Sequence, residues 1–438
     1  MDIKLIRRLI LLSLILIGTL NVNSQTSGDL PAGARSSVSE FILSLQYKSG
    51  AAEGAFRKSN GPAYRDGATD MFFVEPYFTH IACMALLNEG KTTAVEKWMN
   101  WYISKVRLYV PSDFTYDPIY GSVPITTGRE YADPLMMNYF YDANGGAETT
   151  CPSSASMPAG TYCTEIDAED SDPALFFMLA YRYYKAVGSV SWFSQPGVKA
   201  KLEGFVNFIY EHLYDPATGL TDAKRAWPMK YTMDNAEVYA GLVAFIGIMN
   251  DVYSETSTLA VTRATTMMNS IKGIGSTNAD KGIESLKMYP KNGALPTSYN
   301  DFKLFGSANC CDGYLDGQRM YDLTPIMWSV LFGIDNNFDS AAANYIRDLI
   351  NETMPDWNKP GWYMTAAAGG FWDTSIGYFF SMSNNATYKA AGIAQAISAL
   401  AESFKLDSAG AESFISDAGW LLLNLQAIEG NGIQLYNY

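Results

Sequence analysis

Along this chain the apolar positions follow two alternating rules. Between Val198 and Leu213 the large apolar residues Val198, Leu202, Phe205, Ile209 and Leu213 recur at steps of three or four, with Lys199, Lys201, Glu203, Asn207 and Glu211 on the other side. That periodicity predicts an amphipathic surface helix. Ala174 to Tyr181 and Ala240 to Met249 are instead apolar almost all round, as expected of a helix enclosed by other protein. Outer-type helices are predicted near Ser37 to Lys48, Thr92 to Tyr109, Pro196 to Tyr214, Glu255 to Ile271, Asp339 to Glu352 and Ala386 to Phe404. A buried-type helix follows each one, near Val74 to Leu87, Asp172 to Ala186, Asp234 to Val252, Asp322 to Phe332, Asp373 to Ser381 and Ala411 to Leu425.

Six helical hairpins closed into a ring bury both kinds of surface, with the inner helices parallel to one another and the outer helices antiparallel to them. The expected fold class is therefore all-α, an (α/α)6 toroid filling one domain over 25–438, although length alone favours two or three domains. Two long connections, Val110 to Asp170 and Lys272 to Met320, run from an outer helix into an inner one and so reach the face where inner helices start. Long loops of this kind are usually functional. The Gly-rich, aromatic stretch Gly361 to Trp372 predicts a small β-hairpin before the fifth inner helix.

At the N-terminus Lys4, Arg7 and Arg8 precede an apolar run from Leu9 to Ile17 and a small, polar stretch from Gly18 to Gln25. This pattern predicts a signal peptide over 1–24 and a secreted or periplasmic protein. The run is too short to span the roughly 30 Å of membrane hydrocarbon, and no other segment has the length, so no membrane span is expected in the mature chain. A net charge of -14 argues against nucleic acid, which needs clustered Lys and Arg. With only His80 and His212 present, multi-histidine metal sites are excluded, and no cysteine spacing resembles a zinc site. No cofactor and no metal are expected, although D-G-Y-L-D-G around Asp312 and Asp316 leaves a calcium site open. Cys151 and Cys163 are placed to bridge or to remain free in a polar loop, and Cys310 and Cys311 are adjacent, whereas Cys83 reads as helix packing.

Glu75, Asp172, Asp234, Asp322 and Asp373 each stand at the start of a predicted inner helix. Asp caps helix N-termini without any catalytic reason, so Asp234, Asp322 and Asp373 have a structural explanation available. Asp170 belongs to the acidic group with Asp167 and Glu169. Glu75 is explained poorly by capping, because Glu is not a preferred cap and Pro76 already suits the first helical position. Its neighbours Phe72, Phe73, Val74, Tyr77 and Phe78 are apolar or aromatic. Such surroundings favour a neutral carboxyl, the form of a general acid, while a carboxylate at a polar helix start suits a base. One acid and one base is the requirement of glycoside hydrolysis. D-N-A-E places a rival pair, Asp234 and Glu237, on the third inner helix.

These motifs resemble the six-hairpin glycosidase superfamily, and in detail the family 8 glycoside hydrolases: V-E-P-Y-F at Glu75, A-E-D-S-D from Ala168 to Asp172, and Y-D-L-T-P from Tyr321 to Pro325. The resemblance implies Glu75 as proton donor, Asp172 or Asp170 as the group that binds and distorts the sugar, and Asp322 as base of an inverting reaction. Substrate contacts are expected from Asp170, Asp172, Asp234, Glu237, Tyr321, Trp372 and Asp373. Rim aromatics such as Tyr116, Tyr120, Tyr131, Tyr139, Tyr141, Trp357, Trp362 and Tyr363 are candidates for stacking on sugar or for ordinary packing. A secreted glycoside hydrolase acting on a polysaccharide or oligosaccharide is the reading that follows. A polysaccharide lyase and a non-catalytic glycan-binding toroid remain open, the lyase disfavoured by an acidic cleft that repels uronates.

Overall fold

The computed structural model describes residues 26–66, 68–110, 135–136, 138–146, 148–149, 168–225, 230–271, 327–359, 371–402 and 412–437. Its helices alternate between two layers. The outer helices are α1 (Ala34–Ser44), α3 (Thr92–Lys105), α5 (Val198–Phe208), α7 (Thr258–Ile271), α9 (Ala341–Thr353) and α11 (Ala386–Glu402). The inner ones are α2 (Pro76–Asn88), α4 (Ser171–Val187), α6 (Thr232–Asp251), α8 (327–331), α10 (Phe371–Ser381) and α12 (Ile415–Ile428). These twelve helices of the described residues fall on the twelve segments that the periodicity picks out.

Burial separates the layers as the sequence pattern requires. Every residue of α12 is buried, and so is α2 from Phe78 to Leu87, whereas α1 buries only Ala34, Val38, Ser39, Phe41 and Ile42. Inner helices pack side by side: α2 against α4, α4 against α6, α10 against α12, and α12 back against α2. The ring closes there, joining the first hairpin to the last. Helix α8 takes its place through Trp328, whose ring lies 5.5 Å from that of Trp420 in α12. Outer helices cover the seams, as where Phe205 of α5 meets Phe177 of α4 at 6.1 Å and Arg347 of α9 lies 4.2 Å over Phe379 of α10.

Two features differ from the sequence expectation. Helix α5 stops at Phe208, and Ile209–Leu213 continues as a π-helix before a short hairpin of β5 (Tyr214–Asp215) and β6 (Leu220–Thr221). A four-stranded antiparallel sheet also stands ahead of the first inner helix, in the order β1 (Tyr64–Asp66), β2 (Thr69–Val74), β3 (Tyr139–Asp142) and β4 (Glu148–Thr149). Val74 pairs with Tyr139, and Phe73 with Phe140, their rings stacked at 4.8 Å. The first long connection thus folds back onto the residues that lead into Glu75. The hairpin expected before α10 falls on 361–370, outside the described residues, as do the segment 1–24 and Cys151, Cys163, Cys310, Cys311, Asp312 and Asp316. Cys83 is a buried free thiol in α2, as its apolar setting predicts.

Close inner packing depends on small residues at the crossings. A Cβ added to Gly241 of α6 would lie 2.5 Å from the Cα of Ala174 and 2.6 Å from its carbonyl oxygen, both on α4. Backbone cannot yield as a side-chain tip can, so Gly241→Ala is expected to cost about 1–3 kcal/mol. Gly28→Ala, which meets only Thr26 Oγ1 at 3.5 Å, is expected to leave the denaturant midpoint in place. Equal midpoints for the two variants would contradict this account of the α4–α6 contact.

Candidate active site

Glu75 precedes Pro76, the first residue of α2, and its side chain makes no capping hydrogen bond. Capping therefore does not explain an acid at this position. Its surroundings differ from expectation: Glu75 Oε2 lies 2.8 Å from Lys58 Nζ, with the two side chains 12% and 23% exposed. The ammonium in turn lies 5.3 Å over the ring of Phe73 and 5.8 Å over that of Phe78. An ion pair, rather than an apolar pocket alone, is the immediate setting of this carboxyl.

The acids of α4 point into the wall of the ring. Asp170 caps α4 by accepting from Ser171 N at 2.7 Å, and its other oxygen accepts from Thr221 Oγ1 of β6 at 2.7 Å. Asp172 Oδ2 accepts from Tyr102 of α3 at 2.7 Å, while Oδ1 lies 3.3 Å from His80 Nε2 of α2. Trp98 Nε1 approaches His80 Nδ1 at 3.2 Å, which makes Nδ1 the acceptor and leaves the ring proton on Nε2, facing Asp172. All four side chains are buried, so this chain of bonds ties α2, α3 and α4 together. His80 is a core histidine, as its apolar helix predicts, with Nδ1 hydrogen-bonded and Nε2 buried beside Asp172 without a hydrogen bond. Glu169, beside them, forms an ion pair with Arg225 at 2.6 Å.

On α6 the rival pair is buried as well, Asp234 at 4% exposed and Glu237 at 0%. Glu237 Oε1 accepts from Tyr77 Oη of α2 at 2.6 Å and from Trp328 Nε1 of α8 at 2.8 Å. Helices α2 and α6 are not neighbours in the ring, so the Tyr77 bond crosses its interior, while the Trp328 bond joins α6 to the next inner helix, α8. Burial pushes the Glu237 carboxyl well above the usual carboxylate range, and the charge of Asp234 adds to the effect. Burial also raises Asp170, against the opposing hydrogen bonds of Thr221 and Ser171 N, with Glu237 contributing. Closely placed carboxyls in a dry interior cannot all carry charge.

On α10, Asp373 lies in the first turn, half-buried, and Gln395 Nε2 of α11 reaches its Oδ2 at 3.2 Å. Trp372 precedes it in the same turn. Tyr321 and Asp322, with Tyr116, Tyr120, Tyr131, Trp362 and Tyr363, lie outside the described residues. Tyr139, Tyr141 and Trp357 are buried, at 9%, 0% and 2% exposed, and pack in the core. Among the described residues no group of three or more His, Cys, Asp and Glu is arranged to hold a metal ion, and no helix is long and apolar enough to cross a membrane.

Solved structures match this arrangement. A wild-type glycosidase superposes with a TM-score of 0.52 at 13% identity, over 92% of this chain and 100% of that one. A variant glycosidase in complex with glucose gives 0.50 at 13% identity with the same coverage. The fold is glycosidase-like. At such identity the likeness concerns the fold and not the site. No protein-family model matches the chain, and no curated protein matches it either.

Lys58, Tyr77, Tyr102, Thr221 and Trp328 join the acids in space but were not singled out from the sequence for this site. Tyr77 and Trp328 carried a usable signal, standing two residues after Glu75 and six after Asp322. Lys58 lies in an irregular segment ahead of β1, where no periodicity points to it.

The state of Glu237 has a measurable consequence. A carboxyl whose native value is raised stabilises the fold fully below its unfolded value, about pH 4.3. That contribution is lost as pH rises through the native value. Glu237→Gln keeps the shape and a carbonyl acceptor for Tyr77 and Trp328 but does not titrate. The stability of the variant minus that of the wild type, read from urea midpoints, is expected to grow as pH rises from about 4 through neutrality. Parallel curves would show that Glu237 titrates alike in the folded and unfolded chains.

Proposed function

We propose that this chain is a secreted glycoside hydrolase, cleaving glycosidic bonds of a polysaccharide or oligosaccharide with carboxyl groups carried at the starts of its inner helices. The observation that carries the reading is the gathering of Glu75, Asp170, Asp234, Glu237 and Asp373 at those starts, with Tyr77 linking the first inner helix to the buried acid of the third. Glycoside hydrolysis needs two carboxyls in different protonation states, and one site that holds an ion-paired Glu75 together with a buried, raised Glu237 offers that difference. The glycosidase-like fold supports the substrate class.

The finer assignments follow the resemblance to family 8. Glu75 and Asp322 form the catalytic pair of an inverting reaction, and Tyr321, Trp372 and Asp373 contact the sugar with the acids of α4 and α6. Export rests on the N-terminal pattern of Lys4, Arg7, Arg8 and the apolar run to Ile17.

Reducing-sugar release from a panel of neutral and acidic glycans tests the reading. Removal of one general acid or base typically costs 10²–10⁴-fold, so Glu75→Gln and Asp322→Asn are each expected to lose roughly that much turnover with helical circular dichroism unchanged. Full activity in Glu75→Gln would sink the assignment. An unsaturated uronate among the products would instead identify a lyase, and binding without turnover across the panel a glycan-binding toroid. The anomeric configuration of the first product decides between inversion and retention.

A further inference from the structure

Lys58 belongs to neither layer of helices, yet its backbone is held at both ends. Its N–H donates to Phe73 O of β2 at 2.6 Å, and its carbonyl accepts from Ile415 N at the start of α12 at 2.8 Å. The next residue, Ser59, donates through Oγ to Glu412 Oε1 at 2.7 Å. This strap therefore crosses from the sheet to the last inner helix directly beside the first one. Its side chain is packed over Phe73 and Phe78 and ends 2.8 Å from Glu75 Oε2.

Several other lysine pairs are more open to water, Lys230–Asp222 at 16% and 21% exposed being a comparably shielded one. Lys97–Glu53 and Lys199–Glu255 span similar distances, 2.9 and 2.7 Å, but their side chains are 44% and 51%, and 35% and 50%, exposed. Pairs so open to water contribute little and constrain little. At 23% and 12% exposed, Lys58 and Glu75 are shielded enough for one charge to be felt strongly by the other.

We propose that Lys58 is a positioning residue of the active site, delivered by this strap to hold Glu75 in place and to set the pH at which Glu75 exchanges its proton. The proposal rests on the reading of Glu75 as catalytic. Neighbouring elements bring other ionisable groups to this region: Tyr77 and His80 on α2, Glu412 and Asp417 at the start of α12, and Glu237 through Tyr77. Lys58 is paired directly with Glu75 at 2.8 Å.

The consequence has a definite sign. An adjacent cation favours the carboxylate, so its removal moves the proton equilibrium of Glu75 to higher pH. Whichever limb of the pH–rate profile belongs to Glu75 is expected to move up by about one pH unit in Lys58→Met, the low end of the effect of an opposite charge at this range. Lys58→Arg is expected to return the limb towards its wild-type position, although a guanidinium is not a perfect replacement. The acidic limb moving identifies Glu75 as the base, and the basic limb moving identifies it as the donor.

The experiment uses the full-length secreted protein and the glycan of the panel that it hydrolyses fastest. A second measurement needs no substrate: the pH dependence of carbodiimide labelling at Glu75, read by peptide mass mapping in wild type, Lys58→Met and Lys58→Arg. Labelling that persists to higher pH in Lys58→Met supports the proposal. If Glu75→Gln is inactive while both the limbs and the labelling curve of Lys58→Met match wild type, the role of Lys58 is overturned and the catalytic reading stands. If Glu75→Gln is fully active, the catalytic reading falls first, and the labelling curve alone then reports whether the ion pair controls the carboxyl.

Discussion

The carboxyl of Glu237 and its two donors set the terms for the interior of the ring. A helix surrounded by protein has no wet face on which to place a charge, and an isolated ion in such a place costs far more than any single contact returns. Glu237 is fully buried, yet one oxygen receives both Tyr77 Oη and Trp328 Nε1. The two donors favour the charged form and so oppose burial, the larger effect, which raises the carboxyl. The bonds join α6 to its neighbour α8 and, across the ring, to α2, so the polar group is part of the packing. Replacing it by an apolar side chain would leave a phenol and an indole to find new partners in a dry space.

The same constraint sorts the acids that look equivalent in the sequence. Asp170 has both oxygens hydrogen-bonded, by Ser171 N and Thr221, and Asp172 has one bonded by Tyr102 and the other beside His80. A sugar hydroxyl reaching either one competes with bonds that hold α2, α3, α4 and β6 in register. Glu75 and Asp373 are partly exposed and lie at helix starts on opposite sides of the α12 position in the ring. These two keep access to solvent while remaining anchored, which suits groups that must gain and lose protons.

How much of this was legible follows from the range of each interaction. Helix periodicity is local, and the difference between an amphipathic run such as Val198 to Phe208 and a nearly all-apolar one such as Ala174 to Tyr181 reports directly on one or two covered faces. The ring followed from that difference. The sheet ahead of α2 was not legible, because β2 and β3 are short and pair across 65 or more positions of chain, from Val74 to Tyr139 and beyond. Glu75 stood out because local capping rules fail to explain it. Its partner did not, because Lys58 reaches it from an irregular strap whose position is set by Phe73 and Ile415, one of them near the far end of the sequence. The His80–Asp172–Tyr102 link was likewise invisible, since it joins three helices by side-chain tips alone.

The filled axis also limits where chemistry takes place. Tyr77 shares the layer of Glu75 at the start of α2 and is half-buried, while the oxygen it donates to is closed off from solvent. A substrate arriving from the inner-helix starts meets Glu75, Lys58 and the edge of Tyr77 before any of the deeper acids. Pushing further requires breaking the Tyr77–Glu237 bond in a dry interior, with no water to compensate either partner. On the proposed reading of Glu75 as catalytic, the reacting bond belongs at its level, with Glu237 beneath it held to the first turn of α2 through Tyr77. In such an arrangement the bond from Tyr77 to the buried Glu237 ties the layer of Glu75 to the interior below it.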